Sequence, residues 1–338
     1  MKNSSPSKDF ARRKNEATAL AEPSSPRTQK SGWWRASWQL ALHGWFNPSE
    51  LAQGLRQSHS SRSHSASPEG GESQKEDTVI PNDRIRGRPI RLNKQVLSTK
   101  KGKNYAEVVF LGDCHLGSPQ FDQPRFLKMV EYCLKNRLYV FLMGDMIELA
   151  TRHSVGAGVY EQDFNGQTQY EQMVEWLKPL AKHCLILGLL RGNHEERCYK
   201  EAGVDVSKAM ARELVVPYLG DACWNSFRVG CETYTIYSLH GRTGSKFDGT
   251  ALLALERLAA PFHADLVVMG HAHKVINSSI LMQIVLHGSV REHKKHLLIT
   301  GSYLRYGGYA QTFGLPPSKL GSPKVKFFAD HHDISVSW

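Results

Sequence analysis

Short apolar runs recur through the middle of the chain, at 107–112 (EVVFLG), 137–144 (RLYVFLMG), 185–190 (LILGLL), 234–239 (YTIYSL) and 265–270 (DLVVMG). Each has the length of a strand, and each ends at or runs into Gly, Asp, Arg or His. Between them, apolar residues recur at three- and four-residue steps over 124–136, 169–182, 205–216 and 249–260, which predicts helices. Strands alternating with helices predict an α/β body, a sheet covered by helices, beginning near Tyr105. The last part of the chain (281–286, 295–301 and 324–329) reads as richer in strands.

The first hundred residues have a different pattern. Residues 1–30 are polar and carry Pro6, Pro23 and Pro26, a composition that predicts a disordered tail. Residues 31–57 hold Trp33, Trp34, Trp38 and Trp45. Trp34, Trp38, Ala41, Leu42 and Trp45 share one helical face, and Asn47-Pro48 has the form of a second helix start. Such a pair of short helices would pack on the body or on a partner, or read DNA. Residues 58–103 read as a linker, Ser-rich and then basic, leaving 104–338 as the folded domain.

Charge sharpens that division. The 338-residue chain has a formal net charge of +11. Residues 1–100 hold 17 Lys and Arg against 9 Asp and Glu, whereas the rest hold 26 against 23. The basic N-terminal region could therefore contact nucleic acid, or be a solvated tail. No run approaches 18 apolar residues, so no membrane span is expected. Six cysteines without a CxxC pair argue against a cysteine zinc site and for reduced thiols. The opening residues lack an apolar signal core, and Asp9, Glu16 and Glu22 do not fit a transit peptide, so the expected location is cytoplasmic.

Candidate chemistry sits where the apolar runs stop. In order, these ends carry Asp113-Cys114-His115-Leu116-Gly117, Gly144-Asp145, Gly192-Asn193-His194-Glu195, His240-Gly241 and Gly270-His271-Ala272-His273. Ligands bind at the carboxyl ends of strands in open α/β sheets. In an extended Asp-x-His or His-x-His, both side chains would point the same way, toward one ion, and Cys114 would point into the core as a structural thiol. Imidazole mixed with carboxylate and amide oxygen suits Mn²⁺, Fe or Zn²⁺ rather than Mg²⁺ or Ca²⁺.

This ordered set resembles the calcineurin-like metallophosphoesterase superfamily, over about residues 105–301. The resemblance implies a four-layer α/β sandwich of two β-sheets flanked by helices, here preceded by a partly disordered N-terminal region. It implies two divalent transition-metal ions, Mn²⁺ foremost. One would be held by Asp113, His115, Asp145 and His273, the other by Asp145, Asn193, His240 and His271. It further implies that His194 contacts the scissile phosphate or protonates the leaving group, and that Glu195 orients His194. Arg197, Arg242 and His153 are candidate substrate contacts. Gly144-Asp145 lacks the x-x-Asp-Arg-Gly sequel of the Ser/Thr protein phosphatases, while Asp-x-His-Leu-Gly looks like the double-strand-break repair nucleases. The whole is most similar to bacterial and phage members of unassigned substrate, which places it in a bacterial cell or phage-infected host. The function implied is hydrolysis of phosphomonoesters or phosphodiesters by a metal-activated water. A DNA or RNA nuclease, and a nucleic-acid or protein-binding adaptor with a dormant metal site, are the alternatives.

Overall fold

The computed structural model describes residues 91–154, 158–244, 246–286 and 288–338. The expectations for the tail 1–30, the Trp-rich segment 31–57 and most of the linker lie outside the described residues.

Two six-stranded sheets pack face to face. The first has the order β12-β11-β2-β3-β4-β5, built from β2 (Tyr105–Leu111), β3 (Tyr139–Leu142), β4 (Ile186–Leu190), β5 (Tyr218–Gly220), β11 (Lys324–Phe328) and β12 (Ile334–Ser337). The second has the order β1-β6-β7-β8-β10-β9, built from β1 (Arg91–Leu97), β6 (Ala222–Val229), β7 (Glu232–Leu239), β8 (Leu266–Met269), β9 (Ile276–Leu286) and β10 (Ser289–Ile299). Strands β2 to β5 run parallel, as do β7, β8 and β10.

The two-residue period of the strands divides the apolar side chains between three cores. In β2, Val108 and Phe110 face the second sheet, where they meet Phe227, Tyr234, Ile236 and Val268. Val109 and Leu111 face the other way, onto α1 (Gln123–Asn136), α2 (Gly166–Lys182) and α4 (Val206–Leu214). On the far side of the second sheet, Tyr237, Val267 and Leu297 pack under Ala251, Leu255 and Ala259 of α5 (Asp248–Ala259). The result is the four-layer sandwich expected from the sequence.

Helix α1 illustrates the local logic. Asp122 caps it by accepting the Arg125 N–H at 3.3 Å, and Phe126, Val130 and Cys133 form its buried stripe. A left-handed Arg137 then ends it.

Four strands lie outside the sequence reading: the short β5 and β12, and the longer β1 and β6. β1 lies inside the segment read as linker, and it pairs in parallel with β6, so the folded domain begins by Arg91. Its buried face is Asn93 and Leu97, too polar to register as an apolar run. Asn93 instead donates to the Asn225 side chain at 3.0 Å and to the Leu187 carbonyl at 3.2 Å. β6 itself alternates strictly, burying Cys223, Asn225, Phe227 and Val229, and an asparagine again breaks the hydrophobic signal. Among the described residues, no helix is long and apolar enough to cross a membrane.

Candidate metal centre

The carboxyl ends of strands from both sheets meet at one edge of the sandwich. β2 delivers Asp113 and His115, β3 delivers Asp145, and the turn after β4 delivers Asn193 and His194 at the start of α3 (Asn193–Ala202). From the second sheet, β7 delivers His240 and β8 delivers His271 and His273. The sheets are joined there through Asp113, whose carboxylate accepts the His271 N–H at 3.0 Å.

The Asp-x-His and His-x-His segments are not extended. Asp113, His115, Asp145, His271 and His273 all have positive φ, between 49° and 64°. Non-glycine residues seldom hold that conformation, and such residues cluster where the surroundings enforce a functional geometry. The side chains converge because the backbone coils tightly off each strand, not through strand alternation. Cys114 between them is buried in the helix-side core, as expected of a structural thiol.

The glycines have a packing reason. Gly144 and Gly192 lie back to back, and a Cβ on Gly192 would sit 2.0 Å from Asp145 Oδ1. Any side chain there would push the β3 and β4 turns apart.

All seven expected ligands come together. The donor atoms of Asp113, His115 and His273 lie within 4.8 Å of one another, as do those of Asp145, His240 and His271. Asn193 Oδ1 stands 2.7 Å from His271 Nδ1 and 3.0 Å from His240 Nε2. His115 Nε2 is 3.0 Å from His273 Nε2. Asp145 lies between the clusters. Its Oδ1 accepts the His194 N–H at 2.8 Å, while its Oδ2 faces Nε2 of His240 at 3.2 Å, His115 at 3.7 Å and His194 at 3.9 Å. Among the described residues, Asp145 Oδ2 is the buried side-chain oxygen with no hydrogen-bond partner.

These residues fit one or more divalent cations. A buried orphan carboxylate oxygen is costly unless something positive meets it. His240 Nδ1 donates to the Met143 carbonyl at 2.9 Å and His115 Nδ1 to Glu148 Oε2 at 3.0 Å, which leaves each Nε2 lone pair aimed inward. The field is negative. Burial disfavours charge on His115 and His240, yet Glu148 and Asp145 outweigh it at His115, and Asp145 and Asp113 at His240, raising them to about 9 and about 10. Burial likewise disfavours charge on Asp145, but His240 and His194 hold its carboxyl well below the usual range.

His194 stands beside this cluster as a neutral ring. Burial lowers it to about 4. Its Nδ1 donates to the Glu148 carbonyl at 2.7 Å, and its Nε2 accepts from Arg197 Nη2 at 3.0 Å. Glu195 does not meet the His194 ring. Its buried carboxylate takes the backbone N–H groups of Met146 at 2.7 Å and of Asp145 and Gly192 at 3.1 Å. It thereby fixes the turn that carries Asp145, and the backbone of the helix it belongs to points it there. Glu148, which the sequence reading passed over, has the orienting position: one carboxylate oxygen on His115, the other 3.4 Å from His194 Nδ1. No sequence signal marks it, because a glutamate three residues after Asp145 has no distinctive spacing.

The cluster opens into a cleft of about 540 Å³, which Arg197, Lys246, Arg305 and the stretch from Leu304 to Ser318 also line. Arg242 is exposed, pairs with Glu196 and does not line this cleft. His153 is exposed and does not line it either.

Among solved structures, the chain is similar to a predicted phosphoesterase from Streptococcus pneumoniae (13% identity, 69% of this chain and 88% of that one, TM-score 0.31). It is also similar to Vacuolar Protein Sorting 29 from Cryptosporidium parvum (15%, 70% and 98%, 0.35) and to a metallophosphoesterase from Sphaerobacter thermophilus (13%, 68% and 87%, 0.32). At such identities and scores these likenesses carry no argument about function. No curated protein matches. The sequence itself, however, matches the profile of the calcineurin-like phosphoesterases over residues 106–275, half of the chain and the stretch that runs from β2 through the last expected ligand, so the chain belongs to that family.

Proposed function

We propose that this chain is a dinuclear metal-dependent phosphoesterase, hydrolysing phosphomonoesters or phosphodiesters. The observation that supports it most is Asp145 Oδ2, buried without a hydrogen-bond partner among the described residues, in a donor group with His240 and His271 beside a second group of Asp113, His115 and His273. Asp113, His115, Asp145 and His273 would hold one ion, and Asp145, Asn193, His240 and His271 the other. The mixed nitrogen and oxygen donors suit Mn²⁺, Fe or Zn²⁺. When bound, such ions neutralise phosphoryl charge and supply a hydroxide-like water at neutral pH.

The chain's own residues divide the remaining work. Glu148 holds His115 in the tautomer whose Nε2 faces the centre. The Glu148 carbonyl holds the His194 ring at the cleft wall, and Arg197 presents its guanidinium beside it. His194 and Arg197 would contact phosphoryl oxygens; His194 Nε2, a lone pair in this arrangement, would take up the proton that the attacking water gives up and pass it to the departing alkoxide. Glu195 keeps the Asp145 turn rigid through its four backbone hydrogen bonds.

The test is turnover of a small aryl phosphodiester and an alkyl phosphodiester by the Mn²⁺-loaded protein and by His194→Ala. The reading expects hydrolysis of both, and a loss in the variant of roughly 10²–10⁴-fold that is larger for the alkyl ester, whose leaving group needs the proton. Two bound ions with no turnover of any ester would instead support the adaptor reading.

A further inference from the structure

Part of the cleft lining away from the strand ends in sequence is aromatic. Tyr306, Tyr309 and Phe313 line it together and are 51%, 40% and 50% exposed. Tyr309 and Phe313 lie one helical turn apart on α6 (Gly308–Thr312) and the residue after it, their ring centroids 4.3 Å apart and their planes tilted by 34°. The two rings lie largely face against face, so the pair offers a planar ligand one outer ring face rather than a two-ring surface. Lys246, also on the lining, donates to the Phe313 carbonyl at 2.7 Å, and Arg305 pairs with Asp122 at 2.9 Å. Leu315 and Pro316 extend the apolar wall.

A ligand bridging this cleft has two unlike ends. One is an anion facing the donor clusters and Arg197. The other is a planar group facing exposed aromatic rings. A short alkyl chain would leave that face poorly covered, whereas a nucleobase offers a flat π-face that extends the stack. The volume suits one small molecule, within the range of about 300–1,000 Å³ usual for such sites.

We infer that the cleft seats a single nucleotide unit, its phosphate toward the metal-ligand cluster and its base stacked on Tyr309 and Phe313. This rests on the phosphoesterase reading for the phosphate end alone. Gln120 and Ser318, on the same lining, would give hydrogen bonds to the base edge or the ribose.

The test is calorimetric binding of two ligands to the full chain loaded with Mn²⁺: the non-hydrolysable methylene-phosphonate analogues of AMP and of ribose 5-phosphate. They differ by the base. One stacked base corresponds to AMP-analogue binding roughly 5- to 150-fold tighter. In Tyr309→Ala and Phe313→Ala the ratio should fall toward one, and in Phe313→Trp it should persist. Equal affinities in the wild-type protein, or no binding of either ligand, would overturn the inference, without recourse to any variant. A clear base preference in a protein that hydrolyses no ester would sink the phosphoesterase reading and leave the base seat standing.

Discussion

Asp145 occupies the centre of the proposed chemistry. One oxygen is committed to a backbone N–H, and the other has no hydrogen-bond partner among the described residues and faces His240 Nε2 at 3.2 Å. Asp145→Asn should therefore lower turnover more than His273→Ala, because it would touch both ions rather than one, and steady-state kinetics of the two variants at saturating Mn²⁺ checks that order. Glu148→Gln should cost roughly 10–100-fold in activity or in metal affinity, since it loosens both His115 and His194. Wild-type values for both would remove its orienting role. The seven expected ligands were legible because their residue types stand at strand ends in a fixed order. Glu148 was not, because a glutamate three places into a turn has no distinctive spacing until the turn is folded. Glu195 was assigned the wrong neighbour for the same reason: sequence adjacency to His194 says nothing about which way a helix's first turn points its side chains.

At the scale of elements, hydrophobic runs located the strands that are buried on both faces, β2, β3, β4, β7 and β8. They did not reveal β1 and β6, where buried asparagines replace apolar residues. The inward face of β1 still has one apolar anchor. Leu97 is 2% exposed and packs in the core between the sheets, whereas Leu92 is 58% exposed. Leu97→Ala should destabilise the fold by about 2–5 kcal/mol, and Leu92→Ala by no more than about 0.5 kcal/mol. Urea unfolding of the two variants tests whether the strand belongs to the domain. Similar small effects would return residues 91–97 to a linker. The coiled, positive-φ strand ends were equally hidden, because that conformation is imposed on ordinary Asp and His residues by the packing of the two sheets.

Across the whole molecule, the two sheets are also tied at the end of the second sheet remote from the metal-ligand edge. His332, between β11 and β12, bonds Asp265 just before β8 at 3.0 Å and Glu232 of β7 at 3.1 Å, and stacks on Tyr234. Its hydrogen bond to Asp265 raises His332 above its ordinary 6.5, against some burial. Burial opposes the charge of Asp265, but His332 and Thr235 hold its carboxyl below 3.8. The His332 contribution is complete below pH 6.5 and fades as pH rises through its raised value; that of Asp265 is present above 3.8 and is lost in acid. His332→Gln should therefore lower the melting temperature more at about pH 5.5 than at about pH 9. An equal gap at both would deny the ion pair a role in joining the sheets. The same joining of sheets at the opposite edge assembles a site from Asp113, His115, Asp145 and Asn193 of one sheet and His240, His271 and His273 of the other. The account stands most directly on a titration of metal-stripped protein with Mn²⁺, reading phosphodiester turnover against equivalents added. It predicts a rise that breaks at about two ions per chain, with the break lost in Asp145→Asn. Saturation at one ion, or turnover that survives without metal, would contradict it.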